Sequence, residues 1–195
     1  MIQIKNRLFF ILAIMMALVV ALSNYLVQFP FNYFGMKDLL TYGAFSYPIA
    51  FLITDLTNRK YGKIFARKIV YLGFVLGIAL TLYFSTDFSN LISKRVALGS
   101  GVAFLVAQLL DVQIFDKLRK KVWFVAPLIS SLVGSTIDTF LFFSIAFYGT
   151  GINWINLSLG DLIVKVLVAL VMLIPFRLLL TSVQEKSSTE QSISL

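Results

Sequence analysis

The chain has no cysteine and no histidine. The first absence excludes a disulfide framework and thiol chemistry. The second removes the commonest metal ligand and the commonest general base, so metal-assisted hydrolysis would need an all-carboxylate site. Charge is scarce as well. Only 13% of the 195 residues are Asp, Glu, Lys or Arg, whereas a soluble domain carries roughly a quarter. Nucleotide-binding and hydrolase signatures are missing too: GxxxxGK[ST], GxSxG and HExxH do not occur. ATP hydrolysis by this chain is thereby excluded, and neither a metal nor a cofactor is expected. The chain reads as a non-enzyme, with an intramembrane aspartyl dyad the one catalytic arrangement that spacing leaves open.

What the chain has in place of charge is apolar length. Hydrophobic residues make up 59% of it, and the mean hydropathy is +0.90. They fall in blocks of about 20, enough to cross a hydrocarbon core about 30 Å thick. Six spans are expected, at about 8–27, 40–57, 64–84, 95–115, 122–147 and 157–180. Each should be helical, because a span in lipid must satisfy its own backbone hydrogen bonds. The predicted fold class is all-α: a polytopic membrane protein, a bundle of about six transmembrane helices. It forms one transmembrane domain over 1–183, and the polar tail 184–195 is expected to be disordered. The first apolar run, Leu8 to Leu22, is followed by Ser23-Asn24-Tyr25 and not by a small-x-small site. It is therefore read as an uncleaved first span.

Placement of the basic residues orients the bundle. Lys5, Arg7, Arg59, Lys60, Lys63, Arg67, Lys68, Lys117, Arg119, Lys120, Lys121, Arg177 and Lys186 all fall on one side of the six-span arrangement. Lys37, Lys94 and Arg95 fall on the other, and Lys165 lies within a span. Cytoplasmic loops are rich in Lys and Arg, so both termini are expected in the cytoplasm. The net charge of +8 is thus read as topological, favouring anionic inner-leaflet lipid and not nucleic acid. Trp123 and Trp154 sit at span edges, as interfacial anchors do. Arg95 and Lys94 are expected to snorkel to the outer headgroups.

The informative residues are the polar ones inside spans, since a charge at mid-membrane costs about 2.5–3.5 kcal/mol on the insertion scale. Asp138 follows Ser131, Gly134 and Ser135 at spacings of three and four, on one small, polar stripe. Helix packing explains the small residues but not the carboxylate. Asp161 and Lys165 are four apart and share a face. They neutralise each other, or Lys165 reaches Asp138, which lies at a similar depth counting about 1.5 Å per residue. Asp161 is expected near the outer interface and wetted. Asp55 and Asp111 lie near basic loops, and salt bridges to Arg59 or Arg67 are the plain reading of them. Gln108 precedes Asp111 by one turn and can face the same cavity, while Asn24 and Gln28 are placed near the outer edge. Pro48 and Pro175 interrupt spans two and six, either as packing kinks or as breaks that expose backbone to a substrate.

These motifs resemble a known family. YGAFSYPIAFLITDLTNRKYGKIFARK (42–68) is similar to the signature of the queuosine-precursor transporters, an uptake family also described as vitamin-type. AQLLDVQIFDKLRK (107–120), WFVAPLISSLVGSTIDTFLFFSIAF (123–147), DLIVKVLVAL (161–170) and SNYLVQ (23–28) agree in the same order, so the resemblance covers nearly the whole chain. It implies a multi-pass protein of the bacterial inner membrane. It implies import of 7-cyano-7-deazaguanine, and of 7-aminomethyl-7-deazaguanine as a further substrate, for queuosine in tRNA. The residues matching the family's motifs are Asn24, Asp55, Arg59, Arg67, Gln108, Asp111, Asp138, Asp161 and Lys165. A role in binding is inferred from chemistry. A deazaguanine presents a ring N–H beside an exocyclic amino group, and a carboxylate, from Asp138 or Asp111, accepts both through charge-assisted bonds. Gln108 or Asn24 would meet the carbonyl oxygen, and Phe45 or Tyr47 would stack on the ring. The alternative function is a substrate-binding membrane subunit of an ATP-driven importer, which needs partner proteins. Energy coupling stays open between proton drive and facilitation.

Overall fold

The computed structural model describes the backbone of residues 2–33, 35, 40–84 and 86–193, and the side chains over 7–33, 35, 40–84 and 86–180. Lys5, Lys37 and Lys186 of the charge partition lie outside the described side chains. Six helices follow one another: α1 (Ile2–Leu26), α2 (Gly43–Tyr61), α3 (Lys63–Phe84), α4 (Leu91–Leu118), α5 (Val125–Phe147) and α6 (Trp154–Ile193). Among the described residues there is no strand, only a single antiparallel bridge between Pro30 and Thr41 in the α1–α2 connection. The backbone of α6 stays helical to Ile193, through the polar segment for which the sequence predicts disorder.

Five of the six helices are long and apolar enough to cross a membrane: α1, α3, α4, α5 and α6. The exception is α2, and its position explains why. It packs against all five other helices, so lipid does not select its composition. Its buried face includes Ser46, Thr54, Asp55, Thr57 and Asn58. Lipid is met instead by the outer helices. Phe10, Ile14, Leu18 and Leu22 of α1, and Ile163, Leu167, Val171 and Ile174 of α6, are exposed, as expected where hydrocarbon is the solvent. A groove of about 380 Å³ between α3 and α4 is also apolar apart from Thr86 and Lys94.

Small residues set the closest approaches. α1 lies against α3 where Gly73 and Gly77, spaced Gly-x-x-x-Gly, receive Met16 and Val20. A Cβ at Gly73 would come within 2.7 Å of Met16 Cβ, and one at Gly77 within 2.9 Å of Val20 Cβ. α4 and α5 make the most extensive contact in the bundle. There Gly99 faces Ile145, and Gly134, from the stripe predicted as a packing seam, faces Phe51 of α2.

Side chains and backbone tie the helix ends. Asn90 caps α4 by accepting from the backbone N–H groups of Ile92, at 2.8 Å, and Ser93, at 3.3 Å. At the basic end, α2 stops at Gly62, whose φ of 83° only glycine adopts without strain. Arg59 donates to the carbonyl of Arg119, and Arg119 returns a bond to the carbonyl of Arg59 at 3.1 Å. Asp116 holds Lys63 at 3.2 Å and Arg119 at 3.5 Å. Arg95 does not snorkel. Its Nε donates to the Ile145 carbonyl at 2.9 Å, where a free backbone acceptor near the end of α5 competes successfully with headgroups.

The glycine contact makes a direct prediction. Gly73→Val should destabilise the protein by about 1–3 kcal/mol through overpacking against Met16. Thermal unfolding in detergent would show a lowered Tm, and Met16→Ala in the same chain should restore part of it.

Candidate functional site

The polar residues inside the bundle gather in two clusters. The first surrounds Lys165, which is 3% exposed. Its Nζ lies 2.9 Å from Asp138 Oδ2 and 2.6 Å from Asp161 Oδ2. It also donates to Thr139 Oγ1 at 3.1 Å, and that hydroxyl donates to Asp161 Oδ2 at 2.8 Å. The sequence leaves two partners open for Lys165, and the structure uses both. The ammonium further stands 5.0 Å from the centroid of the Tyr47 ring, a cation–π arrangement. Asp161 is buried, contrary to the expectation that it is wetted, because Lys165 and Thr139 occupy the position water would take.

From Tyr47 the network continues across the bundle. Its hydroxyl lies 3.2 Å from Ser100 Oγ; Ser100 donates to Asn24 Oδ1, and Asn24 Nδ2 donates to Thr81 Oγ1 at 2.8 Å. Asn24, two residues from the end of α1, is buried there, its amide bonded by α3 and α4. Counting from Lys165, this one chain of polar contacts touches α6, α5, α2, α4, α1 and α3. Asn24, Gly43, Tyr47, Asp138, Phe142, Asp161 and Lys165 line a cavity of about 10 Å³, room for no more than about one water. One atom there is unsatisfied: Asp138 Oδ1 is buried and has no hydrogen-bond partner. Phe45 is not brought to this site. It is half-exposed and packs on Phe31 of the α1–α2 connection, 5.6 Å between centroids.

The second cluster lies toward the basic end. Tyr47 and Asp55 are eight residues apart on α2, which at about 1.5 Å per residue separates the clusters by about 12 Å along the helix. Here Asp55 of α2 and Asp111 of α4 are neighbours, both buried. Asp55 accepts from the Ser130 and Ser131 hydroxyls of α5 at 3.4 and 3.3 Å. Both oxygens of Asp111 are buried and have no hydrogen-bond partner. Gln108 Oε1 accepts from Thr54 at 2.6 Å, while its Nε2 is unpartnered. The salt bridges expected with Arg59 or Arg67 do not form. Arg59 is drawn to the Arg119 carbonyl and Arg67 to Gln113 Oε1 at 2.5 Å, both closer to the aqueous end. Asp55 also borders a cavity of about 20 Å³ shared with Pro48, Ser131 and Ser135.

Sequence reasoning does not single out Thr139, Ser100, Thr81 or Thr54. Thr139 stood in view one residue beyond Asp138. The others are single hydroxyls in apolar helices, and only their partners show what they do.

A helical bundle with buried, partly unsatisfied ionic clusters, small closed cavities and an apolar exterior is the build of a multi-pass membrane transport protein. Residues 41–180 match a family model described as "Putative vitamin uptake transporter", and the chain belongs to that family. It is 34% identical to the "Queuosine precursor transporter" of Escherichia coli (strain K12), over 88% of this chain and 85% of that one. It is 34% identical to the "Probable queuosine precursor transporter" of Haemophilus influenzae, over 89% and 86% of the two chains. With the protein of the same name from Bacillus subtilis (strain 168) identity is 31%, over 72% and 70%. These relatives are named as transporters, not enzymes. No solved structure matches the chain at comparable significance.

Removing the cation of the first cluster isolates two buried carboxylates. Lys165→Met should destabilise the protein by about 3–5 kcal/mol, read as a lowered Tm in detergent. Adding Asp138→Asn and Asp161→Asn to that variant should recover most of the loss.

Proposed function

We propose that this chain imports a queuosine precursor, 7-cyano-7-deazaguanine and secondarily 7-aminomethyl-7-deazaguanine, across the bacterial inner membrane, and that the base binds at the Lys165 cluster. The observation that carries the reading is Asp138: a buried carboxylate with one oxygen held by Lys165 and the other without a donor. An unsatisfied buried acceptor costs about 1–3 kcal/mol or more, and a ligand with two adjacent donors removes that cost. The ring N–H and exocyclic amino group of a deazaguanine are such a pair.

The rest of the cavity wall suits the same molecule. Tyr47 and Phe142 supply flat apolar surface, and the second N–H of the Asn24 amide, whose first goes to Thr81, is a donor for a carbonyl oxygen. A site built on hydrogen bonds discriminates strongly, because a base lacking the right edge leaves them unpaired. The relatives' names point to the same substrate class. At about 10 Å³ the cavity is closed over, so a bicyclic base enters only when α1, α2 and α6 part. The basic end, with Arg59, Lys63, Lys117 and Arg119, faces the cytoplasm in this reading, and both termini with it.

A salvage assay tests this. In a bacterial strain that neither makes nor imports the precursor, expression of the chain with a low concentration of 7-cyano-7-deazaguanine should restore queuosine in tRNA, seen as a boronate gel shift. Asp138→Asn should raise the concentration needed by about 10–100-fold, the equivalent of one hydrogen bond to a charged group. No shift with wild-type protein in the membrane would sink the stand-alone reading and favour a subunit of an ATP-driven importer. Normal import by Asp138→Asn at equal expression would remove Asp138 from the site.

A further inference from the structure

The described interior holds four carboxyl groups and one ammonium. Lys165 compensates Asp138 and Asp161, which leaves Asp55 and Asp111 without a cation. We propose that Asp55 and Asp111 are the coupling site of the carrier, a carboxyl pair that takes up one proton and gives it up at the basic end, so that inward proton flow drives accumulation of the base. This rests on the transport reading above.

Three observations support it. The first is the pair itself. Two carboxyl groups in contact repel when both are charged and bond to each other only when one carries a proton. Charged groups on the surrounding elements are engaged elsewhere. Arg59 of α2 binds the Arg119 carbonyl, Arg67 of α3 binds Gln113, and Lys63 and Arg119 bind Asp116. On α5, Asp138 is held by Lys165 of α6, about a dozen ångströms along the axis by the same 1.5 Å rise. Arg177 of α6 lies over the Trp123 ring, 4.8 Å from its centroid. What reaches the pair is neutral: the hydroxyls of Ser130 and Ser131.

The second observation is independent of the acids. Gln108 Nε2, one turn before Asp111 on α4 and fully buried, has no acceptor. Donor and acceptors one turn apart on α4 are thus both left unsatisfied. Such an environment is incomplete in this state and is satisfied by a water. The third is the cavity that reaches Asp55. At about 20 Å³ it has room for one water and for no organic ligand. Ser131 and Ser135 line it, and Ser135 Oγ is itself unpartnered. Ser131, Ser135 and Asp138 lie four and three residues apart on one face of α5. That face runs from the proton pair to the base-reading carboxylate, so occupancy at one cluster is felt at the other through a single helix.

The chemistry balances simply. Loading forms one O–H bond on either carboxyl and changes the pair from two negative charges to one. Release breaks that bond and returns the proton to water. No other reactant takes part, and a neutral base therefore crosses with one positive charge.

Reconstitution of the 195-residue chain into liposomes tests the proposal with radiolabelled 7-cyano-7-deazaguanine. At equal pH on both faces, labelled base should exchange with unlabelled base in the lumen, and failure of that exchange would sink the transport reading itself. Given exchange, an outside-acid gradient of one pH unit should accumulate base about tenfold for one proton per base, and a protonophore should abolish the accumulation. Asp55→Asn and Asp111→Asn should each still exchange base and lose the accumulation. Should neither variant reach the membrane folded, wild-type protein decides: adding base outside should acidify the lumen, reported by a trapped pH dye. Exchange with no gradient-driven accumulation or lumenal acidification, accumulation driven by a sodium gradient at uniform pH, or accumulation that survives in both Asn variants would each overturn the proposal while leaving the transport reading in place.

Discussion

A lysine ammonium in the middle of a helical bundle is the constraint on which the rest of this structure depends. Lys165 is buried, so its charge must be met by protein. Two carboxylates, a threonine hydroxyl and the face of Tyr47 meet it. Each partner fixes a helix: Asp138 and Thr139 place α5, Asp161 turns α6, and Tyr47 seats α2. Through the Tyr47 hydroxyl the same chain reaches Ser100, Asn24 and Thr81, and so the remaining three helices. In lipid, where apolar surface gives no preference for one neighbour over another, such polar contacts together with close-packed small residues decide which helix sits where.

The same logic separates the two acidic pairs. Asp138 and Asp161 share a cation and differ in how completely they are satisfied, one having a spare oxygen and the other having Thr139 as well. Among the described residues, no cation is paired with Asp55 or Asp111. The helical rise of α2 separates the two pairs by about 12 Å. In the proposed mechanism the first reads the base and the second takes up the proton.

Much of this was legible in the sequence, for physical reasons. Blocks of apolar residues define helices in lipid almost without ambiguity, and the charged exceptions stand out because each is expensive. Asp138, Asp161 and Lys165 could be grouped from spacing and depth alone. The errors share a cause. Counting residues along a span puts Asn24 and Asp161 toward a helix end, which holds, but makes Asp161 wetted, which does not: exposure depends on the neighbouring helices, and no single span records those. Arginine partners for Asp55 and Asp111 looked natural because Arg59 and Arg67 are near in sequence. Their side chains instead bond the Arg119 carbonyl and Gln113, closer to water. Phe45 and Tyr47 are two residues apart and so point to different sides of a helix; only Tyr47 faces the cluster. Sequence reasoning does not single out Gly73 and Gly77, and nothing in their Gly-x-x-x-Gly spacing says that α1 is the partner.

The central position of α2 bears on how the protein reaches its membrane. A helix that carries Asp55, Arg59 and Lys60 and falls short of the apolar length of its neighbours is a poor substrate for insertion on its own, since partition into lipid is judged span by span. It gains shelter only when α1 and α3 have closed on each other and α4 to α6 have followed. The polar residues that α2 buries are thus sheltered by the completed bundle and not by lipid.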